Sequence, residues 1–369
     1  MIYLISQKTI NLPTNSEDGL CKAKSYGCTI TFRTFFMRRL QLAEYWKHNN
    51  NNKIEFSVSF TKFRLFEECE FKYALQTYGT WSEGLCVKKE DRNEVLCLKR
   101  LNTMDTILGT VIHDAIAEIA SLPNPTPYCV PDNIYEYLYN DYNERLTIAK
   151  HNTYTVLNGA RTSADKLYLK EIYFKEDRDT VTKKYEKVIE KLKRIANNLP
   201  KSLSYQDILE VGVKILLSDK TVGENKFPNF RYQGDIVYAK VDFLYEIPQS
   251  NNLILVDWKT GEKDTVKDKE QLLLYAIYLA ESKYRGDYSK VNGIFYVNEY
   301  LLENKRFTYF LNDNDIEKFK EDFQIKVDKL KAKNKSVEDN IPLDIGHFKK
   351  AEDENVCRLC LYKAICAKY

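Results

Sequence analysis

The sequence predicts an α/β fold, a mixed central β-sheet flanked by helices, with a large helical insertion and a C-terminal cysteine cluster. Three observations carry this. From about residue 207 to 311, short runs of strand-forming residues alternate with turn signals. Helical spacing of apolar residues precedes and follows those runs, so helices are laid on a sheet. The tail carries Cys357, Cys360 and Cys366 within ten residues.

Length and composition set the bounds. The 369 residues suffice for one large domain with insertions or for two domains. With 44% hydrophobic and 30% charged residues, the chain reads as globular rather than disordered. A net charge of +3 means that any nucleic-acid surface must be a local patch. The 27 tyrosines and 18 phenylalanines, many among lysines, suit base stacking beside phosphates and equally suit an ordinary amphipathic surface. Residues 1–6 show no basic leader, and the longest apolar stretch, Leu272 to Ala280, is too short for a bilayer. A cytoplasmic location is therefore expected. There the nine cysteines stay reduced, which ranks metal or cluster ligation above disulfides.

In chain order, residues 1–52 form an N-terminal extension. It carries Cys21 and Cys28, expected as free thiols, and closes on the asparagine run at 49–52, read as a linker. Residues 53–125 form a helical part. Ser59 or Thr61 caps a helix that turns Phe63, Phe66 and Phe71 inward, with Cys69 within it or just beyond. A second helix runs through Ile107 to Ile119, where His113 follows Gly109 by one turn. A histidine there is either structural or a ligand, and the glycine lets a neighbour approach closely. Residues 126–205 read as a helical insertion with a solvated face, exemplified by Val181 to Asn197 and preceded by Pro123, Pro125 and Pro127.

The segment 206–345 holds the expected core. Strands are predicted at Ile208 to Val213 and within Arg231 to Tyr245, where Asp242 interrupts an apolar run. A turn over Pro248 to Asn252 leads into Leu253-Ile254-Leu255-Val256-Asp257-Trp258-Lys259-Thr260-Gly261. Strand alternation puts Asp257 and Lys259 on one face and Trp258 on the other. Taken alone, Asp-x-Lys fits a surface ion pair as readily as a site. However, Asp242 and Asp257 on neighbouring strands would repel at one edge, and a divalent cation relieves such repulsion. A helix opens at Asp268 with Gln271 and Tyr275 on one face. Strands at Gly293 to Val297 and Arg306 to Leu311 follow, then a capped helix from Asn312 or Asp313 to about Lys333. Residues 346–369 carry the three thiols, whose tetrahedral site wants a fourth ligand from elsewhere.

The order His113, Asp242, Asp257-x-Lys259, Gln271-x-x-x-Tyr275 resembles the RecB-like branch of the PD-(D/E)XK nucleases. Cys69 with Cys357, Cys360 and Cys366 resembles its iron–sulfur members, among them AddB-type nuclease domains and CRISPR-associated RecB-like exonucleases. The likeness spans about Ser57 to Cys366. It implies a restriction-endonuclease-like core. It also implies that His113, Asp242, Asp257 and the Trp258 carbonyl bind Mg2+ or Mn2+. Lys259 would orient or help deprotonate the attacking water, and a desolvated lysine loses its proton more readily. Gln271 and Tyr275 would position DNA or the lysine, and the four cysteines would hold a 4Fe–4S cluster, with Zn2+ as the alternative. Three positions depart from the family pattern: Val241 precedes the first acid, Glu70 follows Cys69, and Trp258 separates acid from lysine.

The implied function is a metal-dependent DNA nuclease, a single-strand exonuclease in DNA repair, recombination or defence. A structure-directed endonuclease is the alternative within the enzyme class. A nucleic-acid-binding scaffold subunit of a larger recombination or CRISPR complex is the alternative outside it. No Gly-x-x-x-x-Gly-Lys-Ser/Thr loop is present, so a helicase motor would be a partner protein.

Overall fold

The structure is a computed structural model that describes residues 55–81, 84–85, 87–122, 130–163, 165–210, 213–218 and 229–369. The N-terminal extension with Cys21, Cys28 and the asparagine run lies outside the described residues, as do Pro123, Pro125 and Pro127.

The first described strand, β1 (Ser57–Ser59), runs straight into α1 (Phe60–Glu68), capped by the Ser59 hydroxyl on the Lys62 N–H. Cys69 ends α1 in an extended conformation and caps the next helix, α2 (Glu70–Tyr78), so it stands at a corner and not inside a helix. Next come α3 (Lys89–Lys99) and α4 (Met104–Ala120), the latter begun by a reciprocal Thr103–Thr106 capping box. The segment 126–205, read as a helical insertion, holds α5 (Ile134–Leu157) and α6 (Arg178–Asn198) and runs into α7 (Leu203–Leu209).

The central sheet has five strands: β2 (Lys214–Ser218), β5 (Phe243–Ile247), β6 (Asn252–Lys259), β7 (Ile294–Tyr300) and β8 (Lys305–Tyr309). The spatial order is β8-β7-β6-β5-β2, with only the β6–β7 pair parallel. That pair needs a crossover, which α8 (Thr265–Lys283) supplies. A smaller sheet joins β1 in parallel to β4 (Asp235–Tyr238), which is in turn antiparallel to β3 (Asn229–Tyr232). Gln233 and Gly234, both at positive φ, turn β3 into β4 as a two-residue hairpin requires. The amphipathic α9 (Asp313–Lys331) follows β8, begun by an Asn312–Asp315 capping box.

Alternation along the strands gives the sheet two apolar faces. Phe243, Tyr245, Ile254, Val256 and Trp258 pack in one core with α4 to α7. Leu244, Leu255, Ile294 and Tyr296 pack in another with α1, α2, α8 and α9. Helices α5 to α7 therefore share a core with the sheet. The mixed α/β architecture, with several sheets flanked by helices, is that of a restriction-endonuclease-like core.

Two sequence expectations give way. Ile208 and Leu209 close helix α7 instead of opening a strand, and β2 begins at Lys214. The short apolar run is read by the Ser202 cap on the Tyr205 N–H and by burial of Tyr205 and Ile208 against the α4 side of the sheet. Similarly, the run from Arg231 to Tyr245 is three strands, broken at the Gln233–Gly234 turn and at a bend holding Asp242.

Candidate active site

The β5–β6 hairpin sets the site. Its register pairs Phe243 with Val256, which carries Asp242, one residue before β5, level with Asp257 on β6. Asp242 cannot continue the ladder because the chain bends there, and its carboxylate takes over the missing strand's role. Asp242 Oδ2 accepts the Trp258 backbone N–H at 3.0 Å. In an extended strand the N–H and C=O of one residue point to the same side. The Trp258 carbonyl thus faces the Asp242 side, while its indole is buried among the α4–α7 core.

Helix α4 delivers His113, whose Nδ1 lies 3.3 Å from Asp242 Oδ2. The close approach that lets this happen is at Gly109: a Cβ there would come within 3.2 Å of Thr260 Oγ1. On the opposite side, Lys259 Nζ stands 2.5 Å from Asp257 Oδ2 and donates to Gln271 Oε1 at 2.9 Å. Gln271 Nε2 in turn donates to Tyr275 Oη at 2.5 Å, one turn further along α8. His113 and Asp242 thus form one contact chain, and Asp257, Lys259, Gln271 and Tyr275 a second, joined across the hairpin.

Charge is strained at this junction. Burial, reinforced by the Asp242 carboxylate, pushes the Asp257 carboxyl up to about 7. Burial also opposes ionisation of Asp242, but the His113 imidazole, the Trp258 N–H and the Lys259 ammonium outweigh it and hold that acid low. For His113 burial pulls the pKa down, and Asp242 with Asp257 more than restores it. Lys259 corrects an expectation. Burial does pull it down as expected, but Asp257, Asp268 and Asp242 surround it and raise its pKa, so these carboxylates hold the lysine charged.

The donor set suits a hard divalent cation: two carboxylates, a strand carbonyl and one imidazole, the last tilting it towards Mn2+. Two buried features lack partners here. Asp257 Oδ2 has the Lys259 charge nearby but no aligned hydrogen-bond donor. Asn298, level with Asp257 on β7, is fully buried with neither amide atom hydrogen-bonded. Among the described residues, no three His, Cys, Asp or Glu side chains already stand in a metal-holding arrangement.

Sequence reasoning missed Asp268 and Tyr300. Asp268 Oδ1 is 3.4 Å from Lys259 Nζ, and its Oδ2 accepts from Tyr300 Oη at 2.6 Å. Asp268 precedes Gln271 by three residues, one helical turn, which is a readable signal. Tyr300 had none.

The cysteines lie at the far end of α1. The tail passes over the Cys69 corner, with the Phe71 N–H on the Lys349 carbonyl and the Lys349 N–H on Glu70. It then forms α10 (Glu354–Leu359), which holds Cys357 and ends on Cys360, and α11 (Lys363–Cys366), which ends with Cys366. Burial raises the Cys360 and Cys366 thiols, and their sister thiols, Cys69 and Cys357 among them, push the same way. Beyond the cysteines, Lys368 and Tyr369 both bind the Asp91 carboxylate and fasten the end of the chain to α3.

No curated protein matches the chain. The model of the PD-(D/E)XK nuclease superfamily matches residues 57–367, from β1 to the last turn of the tail, and so takes in the hairpin acids, Lys259 and the terminal thiols. The chain belongs to the PD-(D/E)XK nuclease superfamily.

Proposed function

We propose that the chain is a metal-dependent deoxyribonuclease that works as an exonuclease on single-stranded DNA. The observation that carries the hydrolytic reading is the meeting of His113, Asp242, Asp257 and Lys259 at one end of the β5–β6 hairpin. His113, Asp242, Asp257 and the Trp258 carbonyl would hold the Mg2+ or Mn2+. When bound, that ion supplies an acidified water and an electrophilic clamp on the scissile phosphate. Lys259, charged and fixed, orients the attacking water and faces the developing charge on the phosphate. Gln271 fixes the Lys259 ammonium from one side, and Tyr275 fixes Gln271. The exonuclease mode and the single-strand preference rest on the resemblance to RecB-like nucleases. So does a setting in repair, recombination or defence beside a helicase or CRISPR partner.

At the tail, Cys69, Cys357, Cys360 and Cys366 are the ligand set for a 4Fe–4S cluster, supported by the tail's crossing at the Cys69 corner and by the push of Cys69 and Cys357 on the Cys360 and Cys366 thiols. Such a clip would join α1 to the tail across nearly the whole described chain, and closure of so long a loop stabilises the folded state. Anaerobically purified protein should be brown; a colourless zinc-bearing protein would replace the cluster with Zn2+.

The functional test is cleavage of end-labelled linear and circular DNA, single- and double-stranded, with Mg2+, Mn2+ or chelator, beside Asp257→Ala. Metal-dependent loss of linear single strands alone is the expected result. Cleavage of circles would make the chain an endonuclease, and binding without cleavage a scaffold subunit.

A further inference from the structure

We infer that Asp268 is a positioning residue for Lys259, acting through a brace that ties the ends of β6, β7 and α8 together. The inference rests on the nuclease reading above. An ammonium has three N–H donors and no acceptor. Lys259 Nζ has three oxygen neighbours: Asp257 Oδ2 at 2.5 Å, Gln271 Oε1 at 2.9 Å and Asp268 Oδ1 at 3.4 Å. Asp257 is needed by the metal and Gln271 is neutral, so Asp268 is the one charged neighbour free of ligand duty. It supplies a fixed negative charge that defines where the ammonium rests.

Asp268 is itself immobilised. Its other oxygen, Oδ2, accepts from Tyr300 Oη at 2.6 Å and from the Asp264 backbone N–H at 3.2 Å. Tyr300 is the last residue of β7, in register with Lys259, and its ring is fully buried against Phe307 of β8. The Asp268 carboxylate is only 13% exposed, which strengthens its pull on the ammonium. Lys259 thus takes its direction from the helix start and from the neighbouring strand, not only from its own strand. Such outer contacts typically matter by about 10–100-fold in activity when removed.

The experiment compares Asp268→Asn, Asp268→Glu, Tyr300→Phe and the Asp268→Asn/Tyr300→Phe pair with the full chain, using an end-labelled single-stranded oligonucleotide and Mn2+. Asp268→Asn should lower kcat roughly 10–100-fold while KM stays within about twofold. Mn2+ affinity, read by calorimetry, should be unchanged. Asp268→Glu should recover part of kcat, Tyr300→Phe should lower kcat less than Asp268→Asn does, and the pair should be no worse than Asp268→Asn alone, as members of one unit behave. Should Asp268→Asn fail to fold, Tyr300→Phe carries the test, because it deletes only a hydroxyl. Wild-type kcat in both Asp268→Asn and Tyr300→Phe would overturn the inference and leave the nuclease reading intact. Loss of Mn2+ affinity in Asp268→Asn would also overturn it, by making Asp268 part of the metal site. An inactive wild-type chain would overturn both.

Discussion

His113 Nδ1 lies 3.3 Å from Asp242 Oδ2, although the two residues are 129 positions apart, one on helix α4 and the other at the bend just before strand β5. The contact joins the α4 core to the hairpin. It also leaves one carboxylate shared between an imidazole and the Trp258 N–H, a ready-made edge for a cation.

Removing that imidazole should be felt first in metal binding. His113→Ala is expected to weaken Mn2+ binding at least about tenfold, since even residues behind a ligand cost that much. Titration calorimetry on the chelator-stripped protein checks it, and an unchanged affinity would take His113 out of the ligand set.

Lys259 should separate chemistry from binding. Lys259→Ala is expected to lower the cleavage rate by roughly 10²–10⁴-fold, the range for a group that assists proton movement or charge in the transition state. DNA affinity and Mn2+ affinity should change far less. A variant that loses rate only in proportion to lost DNA binding would mark Lys259 as a substrate contact instead.

The acids predict a pH signature in the metal-free protein. Asp257 is raised by burial and by Asp242 to about 7, so between the ordinary value of 3.8 and that value the folded chain holds a proton the unfolded chain has released. Stability contributed by this group is therefore present at low pH and lost as pH rises through about 7. His113 is also raised, by Asp242 against burial, and loses its contribution in the same direction. Asp242 is depressed, so its contribution fades only in acid. Thermal midpoints of chelated protein should fall from about pH 4 to about pH 7. Asp257→Asn should flatten that fall, and so should saturating Mn2+. Parallel curves for wild type and Asp257→Asn would contradict this placement of charge.

The tail predicts a structural phenotype. Cys366→Ala or Cys69→Ala should abolish the visible colour of anaerobically prepared protein and lower its thermal midpoint by several degrees, because a bound group contributes folding free energy. A midpoint and a metal content equal to wild type would show the thiols to be free.

How far the sequence reaches differs from residue to residue. Asp257, Trp258 and Lys259 were legible because period-two alternation alone assigns their faces. The Gln271–Tyr275 pair was legible from helical spacing. Asp242 was harder, since its chain bends out of the strand and only the hairpin register places it opposite Asp257. Ile208 and Leu209 were misread because a short apolar run has no period of its own, and burial against the α4 side decided it. Tyr300 and Asn298 could not be found, as their importance comes from the β6–β7 register, a non-local pairing that leaves no local mark. The three tail thiols ask only for a fourth ligand from elsewhere, and that Cys69 is the one is implied by the resemblance to iron–sulfur nucleases, not by any pattern in the residues. No periodicity carries a contact across some 290 positions.

The most direct measurement is anomalous diffraction from crystals soaked in Mn2+, recorded at the manganese edge. The account predicts one strong peak bound by the carboxylates of Asp242 and Asp257, with His113 and the Trp258 carbonyl completing the protein ligands. A soaked crystal with no peak between these residues, or with the metal held elsewhere, would contradict it.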